Sequence, residues 1–312
     1  MVEANLEIYS RSQTTARIGR RRRLNVHASG DGHGGPTVVL AHGLGGRTLE
    51  WCRVQPAVAQ FAKVISYDRA GFGFSDPGPL PRTAHQNLVD LRAALDAVGA
   101  TPPYVLVSHS SGNLEMRLFA YTYPEEVAGM VLLDPSGDDQ RERGRSIAAT
   151  LAVRDDAARE RFKIYENLAR LGKLVPGLPE YDQAIGAPNP NLPDNVNVAL
   201  RNWALTPSAW RALYAEDLAN SFANHRLLMD ARRLLGDMPL IVLTAGPIDW
   251  GAGFSAAQRA ALNALWITLH EEHASLSTRG VRRDVRPCGH AIHLERPQVV
   301  TAAIQEVIEM GR

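Results

Sequence analysis

Four short segments of this chain carry residue types that can do chemistry, and each follows a strand-like apolar run. The sharpest is Val105-Leu106-Val107-Ser108-His109-Ser110-Ser111-Gly112-Asn113. A strand runs directly into small-x-Ser-x-Gly, and a helical pattern follows. At such a tight strand-to-helix turn the central residue is held in a strained backbone conformation, so its neighbours must be small. Ser108 and Gly112 meet that need. The turn lifts the Ser110 hydroxyl clear of the sheet and aims the next helix's N-terminus at any oxyanion formed there. Taken alone, the segment would pass for a serine-rich loop; the flanking strand and helix argue for a nucleophile.

The second segment, Val39-Leu40-Ala41-His42-Gly43-Leu44-Gly45-Gly46, lets a backbone N–H approach a ligand closely. The amides of Leu44 and Ser111 are candidates for an oxyanion hole. A phosphate loop is excluded, because no Gly-Lys-Ser/Thr follows, and the dinucleotide spacing Gly-x-Gly-x-x-Gly is missing. The third, Asp68-Arg69-Ala70-Gly71-Phe72-Gly73-Phe74-Ser75, reads on its own as a structural turn. In the fourth, Arg286-Pro287-Cys288-Gly289-His290-Ala291-Ile292-His293, His290 stands after a glycine in a loop that follows the final strand. By itself it would be an ordinary surface histidine, but a nucleophile elsewhere makes it the candidate general base. His293 is expected at a helix entry, and His109 in the packing around the serine turn.

A Ser/His pair needs a carboxylate to fix the imidazole tautomer and stabilise the imidazolium. Asp249 in Gly246-Pro247-Ile248-Asp249 and Asp134 in Asp134-Pro135-Ser136 both sit at strand ends. The chain order Ser, Asp, His fits either. Asp249 is favoured; the other acid would organise the lid entrance or cap a helix.

These residues need a scaffold, and the apolar pattern supplies one. From Thr37 onward, short buried-strand runs alternate with helices, the signature of a parallel sheet with helices on both faces. Strands are expected at Thr37–Ala41, Val64–Tyr67, Tyr104–Val107, Val127–Leu133, Leu240–Thr244 and Val281–Val285. Helices are expected at Thr83–Val98, stopped by Gly99, at Leu114–Tyr123 and around Ala257–His270. The basic run Arg20-Arg21-Arg22-Arg23 falls in Arg17–Ser29, whose partial alternation reads as an exposed edge hairpin defended by charge. Regularity lapses between residues 136 and 237, where charged helical stretches surround a loop with prolines at 176, 179, 188, 190 and 193. The division is therefore a core of residues 1–135 and 238–312 and an inserted helical lid of residues 136–237. Leu168, Leu171, Trp203, Leu205, Trp210 and Phe222 are either pocket walls or the lid's own core.

With 312 residues, 45% hydrophobic and 21% charged, the composition is that of an ordinary globular protein, and a net charge of +1 gives no field for nucleic acid. The aromatic content of 6% argues against a stacking platform for single strands. No apolar run suits a signal peptide or a membrane span, so a cytoplasmic location is expected. Two cysteines, Cys52 and Cys288, make no disulfide framework and no zinc cluster, and whether they meet is left open.

Together the four segments resemble the α/β-hydrolase superfamily, in the branch with an HG-x oxyanion motif, a DRxGxGxS turn and a late GH. The resemblance spans the chain from about Arg17 to the final helix, the insertion excepted. It implies the α/β-hydrolase fold, a mostly parallel sheet flanked by helices with an inserted helical lid. It further implies that His42-Gly43-Leu44 frames the oxyanion hole, that Ser110 is nucleophile and that His290 is base. It also gives weight to Asp249, since acids of the family often follow that strand. Ser108 replaces the more usual glycine of the serine turn. The stretch between Asp249 and His290 is longer than usual, which keeps Asp134 in contention. A serine nucleophile argues against relatives that need an aspartate, such as epoxide hydrolases and haloalkane dehalogenases. The expected activity is cofactor-free, metal-free hydrolysis of a small or medium carboxylic ester, with a small molecule as the partner. Carbon–carbon bond hydrolysis, lactone opening and perhydrolysis are the alternatives on the same residues, and a ligand-binding receptor is the alternative outside enzymes.

Overall fold

Alternating burial explains how the strands stack between two helical layers. In β3 (Thr37–Ala41), Val38 and Leu40 point into one apolar cluster while Val39 and Ala41 point into the other. The same division separates Val105 and Val107 from Leu106 in β5 (Tyr104–His109), and Val131 and Leu133 from Met130 and Leu132 in β6 (Val127–Leu133). Both faces of these strands are covered, so their sequences are continuous apolar runs. The computed structural model describes residues 6–190, 192–251 and 253–311. Residues 1–5, where a signal peptide would begin, lie outside that range.

Eight strands form one sheet in the order β1-β2-β4-β3-β5-β6-β7-β8. β1 (Thr14–Ile18) and β2 (Arg22–Ser29) make an antiparallel hairpin at one edge, and β2 pairs antiparallel with β4 (Val64–Tyr67). From β4 through β3, β5, β6, β7 (Leu240–Thr244) and β8 (Gly280–Asp284) all pairings are parallel. Two of the four arginines of the basic run are engaged by carboxylates. Arg22 pairs with Asp90, and Arg23 with Asp76.

The chain steps from β3 to β4 on one side and then to β5 on the other. That reversal opens a crevice at the carboxyl ends of β3 and β5, where open α/β sheets place ligands. α1 (Gln55–Val58) and α12 (Pro297–Met310) cover one face. α2 (Ala84–Ala97), capped by the Thr83 side chain, and α3 (Gly112–Thr122) cover the other. Between β6 and β7 come six helices: α4 (Gln140–Ile147), α5 (Thr150–Arg170), α6 (Pro179–Ile185), α7 (Asp194–Ala204), α8 (Pro207–Ser221) and α9 (Ala223–Ala231). They have a small core of their own around Tyr165, Leu174, Ala204 and Trp210, while Leu228 of α9 joins the main core. α10 (Ala256–Ala274) follows β7, and its start is fixed by a capping box between Ser255 and Gln258. The short α11 (Ile292–Glu295) precedes α12.

The elements differ from the sequence pattern mainly at their ends. β5 continues past Val107 to His109 and delivers the chain straight into Ser110. β8 begins and ends one residue early, and α10 runs four residues beyond His270. Cys52 and Cys288 are both free thiols. Among the described residues no helix is long and apolar enough to cross a membrane, and no cluster of three metal-ligating side chains is present.

Candidate active site

Among the described residues, only two that are not glycine hold a positive φ: Ser110 at 51° and Asp134 at 43°. Each is the first residue after a parallel strand, and the ladder continues across the strand ends to hold it. Ser110 N donates to Leu133 O at 3.0 Å, Asp134 N donates to Leu243 O at 2.7 Å, and Ser136 N returns to Ser110 O at 3.1 Å. Strained φ values of this kind persist only where surrounding structure over-determines them, and they cluster at functional sites. Gly112 is required for a different reason. A Cβ there would lie 2.5 Å from His42 O, so only glycine lets α3 start this close to the β3 loop.

His290 reaches the same strand ends from the loop after β8. Its Nδ1 lies 2.6 Å from Asp134 Oδ2. The other oxygen, Asp134 Oδ1, accepts from Ala245 N at 2.9 Å and from Trp266 Nε1 at 3.0 Å. Burial of Asp134 opposes its ionisation, but the hydrogen bond from His290 and the neighbouring donors win, holding the carboxyl below the ordinary range. The geometry thus reverses the preference between the two acids: Asp134, not Asp249, faces His290. The loop 245–255 leads away from the strand ends, and Asp249 Oδ1 accepts only from Gly251 N at 2.9 Å, on the surface. The extra helix α10 brings Trp266 to Asp134 instead.

His109 and His293 form the floor beneath His290. His109 Nε2 is 3.0 Å from His290 O, and its ring centre lies 4.6 Å from that of His290 and 4.5 Å from that of His293. Burial drives His109 well below its usual pKa, so it is neutral packing, as the sequence suggested. His293 sits within α11, 3.9 Å from Glu50. Ser110 Oγ and His290 Nε2 share no hydrogen bond among the described residues. His290 is anchored at Nδ1 while its side chain stays 45% exposed, and such bonds commonly tighten only in the substrate complex.

The loop after β3 faces this centre. Arg69, fully buried, donates from Nη1 to His42 O at 2.7 Å and from Nη2 to Gly43 O at 2.9 Å. Its remaining donors fork onto Glu216 of α8 at 2.8 Å each. Arg69 thereby turns two loop carbonyls away from the crevice and ties the inserted helices to the core. Asp68 accepts from Thr48 N, Phe74 N and Asn25 Nδ2, fixing the same loop from behind. With the carbonyls engaged, the Leu44 amide is left over; neither it nor the Ser111 amide has an acceptor among the described residues. Leu44, Ser110 and Ser111 line one cavity of about 150 Å³, together with Leu114, Gln140 and Arg141.

Sequence reasoning missed Trp266 and Arg69. Arg69 was visible only as part of a turn, and Trp266 carried no local signal. Of the proposed pocket walls, Trp203 and Trp210 line a second cavity that also touches Leu44. Leu171, Leu205 and Phe222 are exposed, and Leu168 packs against the core of the inserted helices.

A family model described as "Alpha/beta hydrolase family" matches residues 38–303. This chain belongs to the alpha/beta hydrolase family. Among curated relatives of this hydrolase-family chain, the uncharacterized protein YqjL of Bacillus subtilis (strain 168) is 26% identical over 277 residues, covering 88% of this chain and 85% of YqjL. An AB hydrolase superfamily protein of Gibberella zeae is 22% identical over 285 residues, covering 89% and 87%. The solved structure of an epoxide-hydrolase-like protein from Pseudomonas aeruginosa superposes with a TM-score of 0.66 at 16% identity, covering 96% of this chain and 97% of that one. At that identity the likeness speaks for the α/β-hydrolase fold alone.

Proposed function

We propose that this α/β-hydrolase is a serine hydrolase of small or medium carboxylic esters, with Ser110 as nucleophile, His290 as base and Asp134 as acid. The observation that carries the reading is the convergence of two strained residues, Ser110 and Asp134, with an imidazole held at 2.6 Å by the second of them. Asp134 fixes the tautomer with the proton on Nδ1, which leaves Nε2 as acceptor.

Ser110 Oγ attacks the ester carbonyl carbon while its proton passes to His290 Nε2. The carbonyl oxygen becomes an oxyanion facing the Leu44 and Ser111 amides; losing one such donor typically costs about 3 kcal/mol of barrier. Collapse expels the alkoxide, which takes the proton from His290. Water then gives its proton to His290 and attacks the acyl-enzyme; as the second oxyanion collapses the acid leaves, and His290 returns the proton to Ser110 Oγ. The cavity of about 150 Å³ beside Ser110 suits a short acyl chain.

The test is turnover of 4-nitrophenyl esters of graded chain length, with Ser110→Ala beside the wild type. Hydrolysis of the short esters, lost in a variant that still melts cooperatively, is the expected result. Activity retained in Ser110→Ala would reject the nucleophile, and inactivity of the wild type on every ester would reject the substrate class.

A further inference from the structure

Beyond Leu44, the residue it shares with the Ser110 cavity, a larger space of about 460 Å³ opens under the inserted helices. Its walls include Phe162, Tyr165, Trp203, Trp210 and Leu213. Of the two arginines lining this space, Arg161 is exposed and Arg47 is buried. Arg47 is only 9% exposed, and its Nη2 donates to Gly45 O at 2.8 Å. Its Nε and Nη1 are buried with no acceptor. Its Cζ lies 4.0 Å from the centre of the Trp203 ring, and Trp203 Nε1 is likewise buried without an acceptor. Orphaned buried donors are rare in native structures and ask for an explanation. Here two atoms of one arginine and one of the indole stacked upon it are orphaned together.

The charge around them has a sign. The charged residues lining the space are Arg47, Arg161 and Glu50, two positive against one negative. Glu50 lies 3.9 Å from His293; it and Asp68 attract Arg47 electrostatically, but among the described residues no carboxylate comes within ion-pair distance of Arg47. One net positive charge suits a singly charged carboxylate better than a doubly charged phosphate. Guanidinium is weakly hydrated and makes its stronger hydrogen bonds to carboxylates, which makes it a suitable donor when buried beside aromatic rings.

We propose that Arg47, with Trp203 stacked on it, recognises a carboxylate, and that the substrate is an ester whose far end carries one across an apolar or aryl linker. This rests on the esterase reading above. Arg47 follows Leu44 by three residues, so their Cα atoms lie within about 10 Å, a separation that a linker of a few carbons spans. The orphaned donors are closed from solvent, so an anion can meet them only if the Trp203 indole, stacked on Phe72 with ring centres 5.8 Å apart, shifts as the anion enters. Arg47 is then a specificity residue, separate from the chemistry at Ser110.

The test compares mono(4-nitrophenyl) adipate with its neutral methyl ester by kcat/KM. The wild type should prefer the anion by about tenfold or more, as expected for a charge-assisted hydrogen bond. The ratio should fall to about one in Arg47→Met and be partly kept in Arg47→Lys, with the change mainly in KM. No preference in the wild type would overturn the proposal while leaving the esterase reading intact. If neither ester turns over, the esterase reading fails and binding still decides. Adipate should change tryptophan fluorescence at a concentration about tenfold or more below that needed for adipamide, and Arg47→Met should remove the difference. Equal binding, or none, would overturn the carboxylate site. The wild-type comparisons stand even if the Arg47 variants fold poorly.

Discussion

Asp134→Asn separates the two candidate acids and carries its own structural control. Asp134 Oδ1 accepts from both Ala245 N and Trp266 Nε1. An asparagine must keep its carbonyl oxygen on that side, because the amide group would otherwise face two donors. Its Nδ2 therefore points at His290 Nδ1, where Oδ2 now accepts at 2.6 Å. Two donors cannot face each other, so the imidazole moves its proton to Nε2 and can no longer accept from Ser110. The equivalent inversion in a Ser-His-Asp triad costs about 10^4-fold in kcat. Folding should survive, since asparagine tolerates the left-handed backbone that Asp134 adopts at φ 43°. Asp249→Asn can keep the surface bond from Gly251 N through its own carbonyl oxygen, and should alter stability by about 0.5 kcal/mol or less and activity little. The assay is kcat on a short 4-nitrophenyl ester for both variants, with thermal melts in parallel. A folded Asp134→Asn with more than a tenth of wild-type activity, or a collapse in Asp249→Asn, would refute the reasoning.

Trp266→Phe removes one of the two donors to Asp134 Oδ1 while Ala245 N remains. We expect kcat to fall about tenfold with a smaller change in KM; an unchanged kcat would show that the indole only packs. Glu115→Gln tests a buried charge beneath the site. Burial raises Glu115 from 4.5 to about 7, against the partly offsetting pull of Arg69 and of the hydroxyl donated by Tyr67. A folded value above the unfolded one means that this group's contribution is fully present below about pH 4.5 and is lost as pH rises through about 7. The loss is on the order of 3 kcal/mol at 1.36 kcal/mol per unit. Urea denaturation at about pH 5 and about pH 8 should therefore show a shallower decline in Glu115→Gln than in the wild type. An equal decline would contradict the assignment.

Much of this arrangement was legible in the sequence because its signals are local. Continuous apolar runs marked β3, β5, β6 and β7, and small residues around Ser110 marked the strained turn. The choice of acid was not local. Asp134 and Asp249 both end a strand, and the sequence offers no measure of the path of loop 245–255. Two facts decide their placement: the left-handed φ at Asp134, and the position of Trp266 on α10 relative to β6. Both are tertiary. Arg69 was hidden for a similar reason. Its turn was recognisable, but its partners are His42 O, Gly43 O and Glu216, the last of these 147 positions away along the chain. Arg47 gave no signal at all, because an arginine in a glycine-rich loop looks solvated until Trp203 covers it.

The most direct measurement of the central claim is mass spectrometry of the intact protein and its peptides after treatment with a fluorophosphonate. Formation of the adduct needs a serine whose proton can be taken by a neighbouring base. One adduct is expected, on the peptide containing Ser110, absent from Ser110→Ala and strongly slowed in Asp134→Asn. An unlabelled wild-type protein, or an adduct mapped to any other serine, would contradict it.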